Sequence, residues 1–381
     1  MPKDAAELPK GVRLTDFISI GVLAKMFPRD LIDSILEDTG KASKRQRDLP
    51  AHLMVYYVIA LPLYMHVSCK EVLRCLREGL QWLFGPQIAG KTPGKSGISQ
   101  ARKRLGYEPI MELYKRTVVP IAKKNTKGAK YRKWTLVSLD GSTLDLADTK
   151  ANETEFGRPG STRGASAFPK LRFVSLIENG THVLFGASPG FYNDGETTLA
   201  KKVIPNLSEG MLCLADRNFF GYDLWELALN TKADLLWRMK KNTILPCFKR
   251  FDDGSYLSKI YKSAKDRRLD IDGIPVRVIE YKLRGVYKSE PLYRTITSIL
   301  DPKKAPANEL AAIYHERWEI ETAFDELKTH LRGARIVLRS KMPYGVYQEF
   351  YGLMLAHFAI RSIMHDAALM ADEDPDRISF V

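Results

Sequence analysis

What most restricts the fold of this chain is the order in which short apolar segments and amphipathic ones follow one another after residue 133. Residues 134–139 are rich in β-formers and end in Asp140-Gly141-Ser142. Two further strand-like runs, 171–177 and 182–185, flank Glu178-Asn179-Gly180-Thr181, where Asn-Gly tolerates the positive φ that a tight hairpin needs. The spacing predicts a helix over 196–204, then a short apolar strand over 211–215 ending at Asp216. A second helix over 222–229 and a strand over 234–239 follow. Residues 241–299 are strand-like and polar, with turn signals at Asp252-Asp253-Gly254 and Asp272-Gly273, and a long helix is predicted over 307–331.

Strands with a hairpin, then helix–strand–helix–strand, with aspartates ending two strands that could lie side by side, outline an α/β, ribonuclease-H-like domain. The polar strand-like stretch reads as a β-rich insertion in it. The chain therefore divides into a helical N-terminal domain (1–124), the first part of the catalytic domain (125–240), the insertion (241–305), and a last part with the long helix and a C-terminal helix (306–381).

In the first region, residues 22–36 carry apolar side chains at three-to-four spacing and 50–65 form a second helix. Ser68-x-x-Glu71 is a capping-box pattern that opens a third. After a Gly/Lys/Pro/Ser loop at 90–97, residues 99–105 are short and basic, with Arg102, Lys103 and Arg104. Short helices ending in a basic one fit a helix-turn-helix-like module in which Arg102 and Arg104 contact DNA, and a bundle with a solvated basic face fits nearly as well. Residues 123–133, with six lysines and arginines, read as a charged linker.

The formal net charge of +14 favours a polyanionic partner, most commonly nucleic acid, although a plain basic protein would carry the same surplus. Cys69, Cys75, Cys213 and Cys247 show no C-x-x-C pairing and no histidine at zinc-ligand spacing, so free thiols in a reducing cytosol are expected. The polar start, with Pro2 and Pro9, is no secretory signal. The longest apolar run, 53–65, contains Pro62 and is too short to span a bilayer. A cytoplasmic protein without a membrane partner is expected.

Phosphodiester chemistry by two metals needs carboxylates converging from separate elements to hold two ions about 3.5–4 Å apart. Asp140 and Asp216 suit this because each follows an apolar strand, while Asp145 and Asp148 read more simply as strand-end or loop acids. On the long helix, Tyr314, Arg317, Glu321 and Lys328 fall within an arc of about 60° at 100° per residue, beside an apolar face of Ile313, Ile320, Phe324, Leu327 and Leu331. Arg317 and Lys328 would there face substrate phosphates. Periodicity leaves Asp325 on nearly the same face and does not choose between it and Glu321.

Tyr314-x-x-Arg317-x-x-x-Glu321-x-x-x-x-x-x-Lys328 resembles the Y-R-E-K signature of the insertion-sequence-four family of bacterial DDE transposases. Leu139-Asp140-Gly141-Ser142 resembles that family's first catalytic block and Ala215-Asp216-Arg217-Asn218-Phe219 its second. Ala167-Phe168-Pro169-Lys170-Leu171-Arg172, followed by Gly180-Thr181-His182, resembles the stretch between them, and residues 15–83 the family's N-terminal domain. The resemblance implies that Asp140, Asp216 and Glu321 are the catalytic, metal-binding triad for two Mg²⁺ ions, with Mn²⁺ able to substitute. It implies that Tyr314, Arg317 and Lys328 contact transposon-end phosphates, and that the partners are double-stranded transposon-end and target DNA held by a homodimer at the nucleoid. Cut-and-paste transposition, by hydrolytic nicking and then strand transfer, is the implied activity.

Trp237 is a candidate for stacking on a displaced base, though a core tryptophan fits the same strand. Arg158, Arg163 and Lys170 lie in a Gly/Ser/Pro-rich stretch that could clamp DNA or simply be solvated. Family members continue past the segment resembling residues 374–380, whereas this chain stops at Val381. A shortened derivative that occupies DNA ends without cutting them is therefore one alternative, and a ribonuclease-H-like nuclease without strand transfer is another.

Overall fold

The computed structural model describes residues 20–45, 48–65, 67–84, 93–161, 164–165, 167–240, 242–283, 291–333 and 336–380; Arg163, residues 1–11 and part of the 90–97 loop lie outside them. The chain begins with helices α1 (Ile20–Met26), α2 (Arg29–Asp38), α3 (Ala51–Ala60), α4 (Cys69–Phe84), α5 (Lys95–Leu105) and α6 (Glu108–Thr117). The single helix expected over 22–36 is two, because Pro28 disfavours helical backbone at Phe27 and starts a new helix. Ser68 Oγ accepts the Glu71 N–H at 3.2 Å as a cap should, but the Glu71 carboxylate turns to Arg74 instead of closing the box. α3 is apolar all round because it is buried all round. Among the described residues no single helix is long and apolar enough to cross a membrane.

The strands follow: β1 (Lys130–Tyr131), β2 (Trp134–Asp145), the short pair β3 (Gly160–Ser161) and β4 (Gly164–Ala165), β5 (Lys170–Glu178), β6 (Val183–Phe191), β7 (Met211–Ala215) and β8 (Asp234–Arg238). α7 (Lys150–Phe156) precedes β3, α8 (Glu196–Val203) lies between β6 and β7, and α9 (Tyr222–Leu229) between β7 and β8. β2, β5 and β6 form an antiparallel meander, and β7 and then β8 add in parallel on the other side of β2, giving the order β6-β5-β2-β7-β8. Three antiparallel strands with two parallel ones across the first strand, the parallel pair joined by a helix, is the ribonuclease-H-like sheet.

β9 (Lys249–Arg250), β10 (Tyr256–Ile260), β11 (Ile274–Tyr281) and β12 (Tyr293–Thr297) extend the same sheet antiparallel from the edge of β8, in the order β8-β12-β11-β10-β9. A short helix, α10 (Ala264–Leu269), lies between β10 and β11 where only strands were expected; Ser263 Oγ accepts the Asp266 N–H as its N-cap.

The long helix expected over 307–331 is a continuous rod of changing pitch: α11 (Ala307–Ile313), a 3₁₀ segment (Tyr314–Trp318), α12 (Glu319–Asp325) and a π segment (Glu326–Leu331). Last comes α13 (Pro343–Ala371), 29 residues long and buried along most of its length. It lies between the N-terminal helices and β6, so one core runs from Leu23 of the N-terminal helices to Phe380, while a second, smaller cluster (Trp134, Leu212, Leu236, Leu310 and their neighbours) packs α11 on the sheet. α3 crosses α13 closely at Gly352, where a Cβ would stand 2.6 Å from the Val58 carbonyl oxygen.

Candidate active site

The register of the central strands creates the site. Leu139 of β2 pairs with Ala215 of β7 in the parallel ladder, so the next residues, Asp140 and Asp216, stand side by side. β2 does not end at Asp140: it runs to Asp145, held by β5, and from residue 140 to 143 its side chains are only half-buried because β7 has stopped. The ending of β7 opens the cleft. Asp140 Oδ1 accepts the Gly141 N–H at 2.8 Å, and Asp216 Oδ1 accepts the Arg217 N–H at 2.7 Å. Burial pushes the Asp140 carboxyl up to about 6, against the Gly141 N–H and Arg317; the charges of Glu196 and Asp216 add to the rise.

The helical rod crosses over this cleft. Ile320, Ala323, Phe324, Leu327 and Leu331 are its buried side, with Phe324 edge-on to Phe173 at 5.3 Å. Arg317 Nη1 lies 3.3 Å from Asp140 Oδ2, and Arg317 Nη2 lies 3.7 Å from Glu321 Oε1. Glu321 itself is half-exposed, so its carboxylate faces the open side of the cleft. The alternative acid, Asp325, accepts from Thr329 Oγ1 at 2.5 Å and pairs with His330 at 3.3 Å. Asp145 pairs with Lys170 and Asp148 with Arg158. Lys328 Nζ donates to Ser142 Oγ at 2.9 Å, beside Asp140 on the same strand, and burial lowers its pKa.

Several expected DNA contacts sit differently. The Tyr314 side chain is buried and its hydroxyl donates to the Ala215 carbonyl at 3.3 Å, because the 3₁₀ turn packs it on β7 just before Asp216. Arg317 is 7% exposed and turned onto the carboxylates, not outward to a phosphate. Trp237 is fully buried, edge-on to Trp225 at 5.2 Å, so it cannot stack on a base. Arg102 is likewise no DNA contact: it donates to Gln348, Ser340, Glu349 and the Gly345 carbonyl, tying α5 to α13. A guanidinium with an acidic partner inside the fold gains more there than on a solvated face. Arg104, two residues on, is exposed and lines a cavity of about 210 Å³ with Lys41 and Lys44. Two side chains were not singled out from the sequence. Glu196 approaches Gly141 from α8, and Trp318 is 53% exposed with Arg317 over its ring. An acid opening a helix and a tryptophan beside a buried arginine carry no distinctive spacing, so nothing in the sequence marked them.

The donors suit a hard divalent cation: carboxylate oxygens from β2, the end of β7 and α12, with Arg317 as the cation already between two of them. A second acidic group, His182, Glu319 and Asp376, lies at the far end of the β5–β6 hairpin and is an ion-pair clip. Burial alone would lower the His182 pKa, but hydrogen bonds from its ring to Glu319 and Glu326 outweigh it and hold the ring up at about 9.

A ribonuclease-H-like sheet with paired aspartates at its centre and a glutamate-bearing helix across them defines a class of nucleic-acid phosphoryl-transfer folds. The family "Transposase DDE domain" matches residues 132–359, and "Insertion element 4 transposase N-terminal" matches residues 17–115. The chain belongs to the DDE transposases of the insertion-sequence-four type, enzymes of DNA transposition with nuclease and transferase chemistry that depends on divalent metal. The transposase InsG for insertion sequence element IS4 of Escherichia coli (strain K12) is 26% identical over 92% of this chain and 78% of that one. The putative transposase InsZ of the same strain is 25% identical over 61% of this chain and 73% of its own length. A solved piggyBac transposase synaptic complex with hairpin DNA covers 94% of this chain and 77% of that one, with 11% identity and a TM-score of 0.48.

Proposed function

We propose that this transposase cuts and rejoins DNA at transposon ends, with Asp140, Asp216 and Glu321 holding two Mg²⁺ ions and Mn²⁺ able to replace them. The observation that carries this reading is the Leu139–Ala215 register, which sets Asp140 beside Asp216 under an arginine that also reaches Glu321. When bound, the ions activate the attacking oxygen and stabilise the leaving one. The chain's own residues keep that geometry. Gly141 and Arg217 N–H groups fix one oxygen of each aspartate, and Arg317 holds the second oxygen of Asp140 where a metal would take its place. Arg317 offsets part of the charge among the acids and orients Asp140 and Glu321 before metal and DNA arrive. Tyr314 props the β7 end from beneath, acting on Asp216 through the backbone.

DNA itself would be met by cations at the cleft and on the N-terminal helices. Lys328, at the cleft beside Ser142, would meet a phosphate, and Arg104 with Lys41 and Lys44 would offer a second basic site on the N-terminal helices. Concerted cutting of two ends calls for at least two copies of the chain, and a homodimer on paired DNA at the nucleoid is the simplest assembly.

The test is incubation of purified protein with a labelled duplex carrying the element's end, with and without Mg²⁺, with Asp216→Ala beside it. Cleavage that needs both metal and Asp216, with joined products, is expected. Hydrolysis without joining would leave a nuclease, and binding without cleavage under any metal would overturn the catalytic reading.

A further inference from the structure

The turn between β5 and β6 reads Glu178-Asn179-Gly180-Thr181-His182, and backbone preference accounts for only part of it. The residue in the left-handed region is His182, at φ 56°. Gly180 is required because the Ala129 backbone presses on it: a Cβ there would stand 2.5 Å from the Ala129 Cα. Asn179 has no positive φ, so the path of the chain does not call for asparagine. Its side chain has other work. Ser138 Oγ donates to Asn179 Oδ1 at 2.9 Å, and Asn179 Nδ2 donates to the Glu316 carbonyl at 2.7 Å. The carbonyl can only accept, which fixes the orientation of the amide. Asn179 is 1% exposed and Ser138 fully buried, so water does not compete for the link between them.

The two ends of this bridge lie beside the site. Ser138 is two residues before Asp140 and shares its face of β2. Glu316 is the residue before Arg317 in the 3₁₀ segment, and Arg317 reaches back to Asp140 at 3.3 Å and to Glu321 at 3.7 Å. One buried carboxamide therefore closes a ring between the strand of Asp140 and the turn of Arg317. His182 fastens the same hairpin further along the rod. Its ring meets Glu319 Oε2 at 3.1 Å and Glu326 Oε1 at 2.8 Å, positions seven residues apart and so on one side of the rod. At about 100° per residue that side points away from Glu321. The hairpin thus holds the rod from behind, at 316 and 319 before the glutamate and at 326 after it. We propose that Asn179 is a positioning residue of the active site: by tying Ser138 to the Glu316 carbonyl it sets where Arg317 and Glu321 stand relative to Asp140. The inference rests on the reading of Asp140 and Glu321 as metal ligands. The role needs a donor and an acceptor back to back on one short planar group, which is what asparagine supplies.

The test compares the full chain with Asn179→Ala, Ser138→Ala and Asp140→Asn by Mn²⁺ titration, free ion being read by electron paramagnetic resonance. Single-turnover cleavage and gel-shift affinity for a duplex carrying the element's end are measured on the same preparations, once thermal melts show that each is folded. In Asn179→Ala, Mn²⁺ binding is expected to weaken about tenfold and cleavage at saturating protein to slow by about 10- to 100-fold, with end affinity unchanged. Ser138→Ala keeps the bond to Glu316 and frees the other end of the amide, so both should move the same way by less. It carries the test if Asn179→Ala does not fold. Wild-type Mn²⁺ binding and cleavage in Asn179→Ala, with both impaired in Asp140→Asn, overturns this inference and leaves the triad standing. Wild-type behaviour of Asp140→Asn overturns the triad reading and this one with it. Weaker end binding at an unchanged cleavage rate in Asn179→Ala also overturns it, because a residue that sets ligand geometry acts on the rate.

Discussion

Asp140 and Asp216 are neighbours because parallel pairing puts Leu139 opposite Ala215, and each carboxylate is then aimed by one backbone N–H. As proposed metal ligands aimed this firmly, they are expected to matter through chemistry more than through folding. Asp140→Asn, Asp216→Asn or Glu321→Gln should each slow cleavage by on the order of a thousandfold or more while leaving end binding in place, as rates and gel shifts on the same preparations would reveal. Near-wild-type cleavage by any one of them removes that residue from the triad. Arg317 plays a different part. Its fork spans Asp140 and Glu321 from a buried position, so Arg317→Lys, which keeps the charge and loses the planar fork, should also cut slowly. A cleavage rate unchanged in Arg317→Lys would show that charge alone suffices.

At the scale of elements, α5 shows how one basic segment divides its work. Arg102 points inward to Gln348, Ser340 and Glu349 of the α13 region, and Arg104 points outward to the cavity with Lys41 and Lys44. Arg102→Ala leaves a buried acid without its partner and should cost about 3 kcal/mol of stability, read from chemical denaturation. Arg104→Ala should leave stability unchanged and lower the slope of log K against log salt for end binding by about 1. Equal effects of the two on the salt slope would refute this division. The helical rod makes a related point. Its 3₁₀ turn sends Tyr314 and Arg317 inward, three residues apart, and its π segment buries Glu326 while bringing Lys328 to Ser142.

At the scale of the whole molecule, α13 and the buried ion-pair clip join the helical and sheet-bearing halves. His182 at the hairpin end meets Glu319, Glu326 and Asp376, while Glu326 also meets His357 and Arg361 of α13. The His182 pKa is raised in the fold to about 9, so its stabilisation is fully present below its ordinary value of 6.5 and is lost as pH rises through about 9. Glu326 works in the opposite sense: burial would raise its pKa, but His182 and His357 hold it well below the carboxylate range. Its contribution is present above the ordinary value and is lost only in strong acid. Melting temperature is therefore expected to fall between about pH 7 and 10 in the wild type, and to fall less in His182→Gln. Parallel curves for the two proteins would exclude His182 as the alkaline switch.

Much of this was already written in the chain. Hydrophobic periodicity and turn residues determined the succession of strands and helices, the place of the β5–β6 hairpin and the strand ending just before Asp216, because those features depend on local backbone preference; the positive φ of that hairpin falls on His182, and Gly180 is a glycine because the Ala129 backbone lies against it. The spacing of Tyr314, Arg317, Glu321 and Lys328 likewise marked one helical segment. What local preference does not encode is which faces meet. Only the tertiary structure decided that Trp237, Tyr314 and Arg102 turn inward, that the polar strands after residue 241 prolong the main sheet, and that β2 runs on past Asp140. It also gave Glu321 and Asp325 different partners, Arg317 and His330, and brought Glu196 to Gly141. These outcomes depend on strand register and on contacts between residues far apart in the chain, where burial and charge pairing override the bias of any single segment.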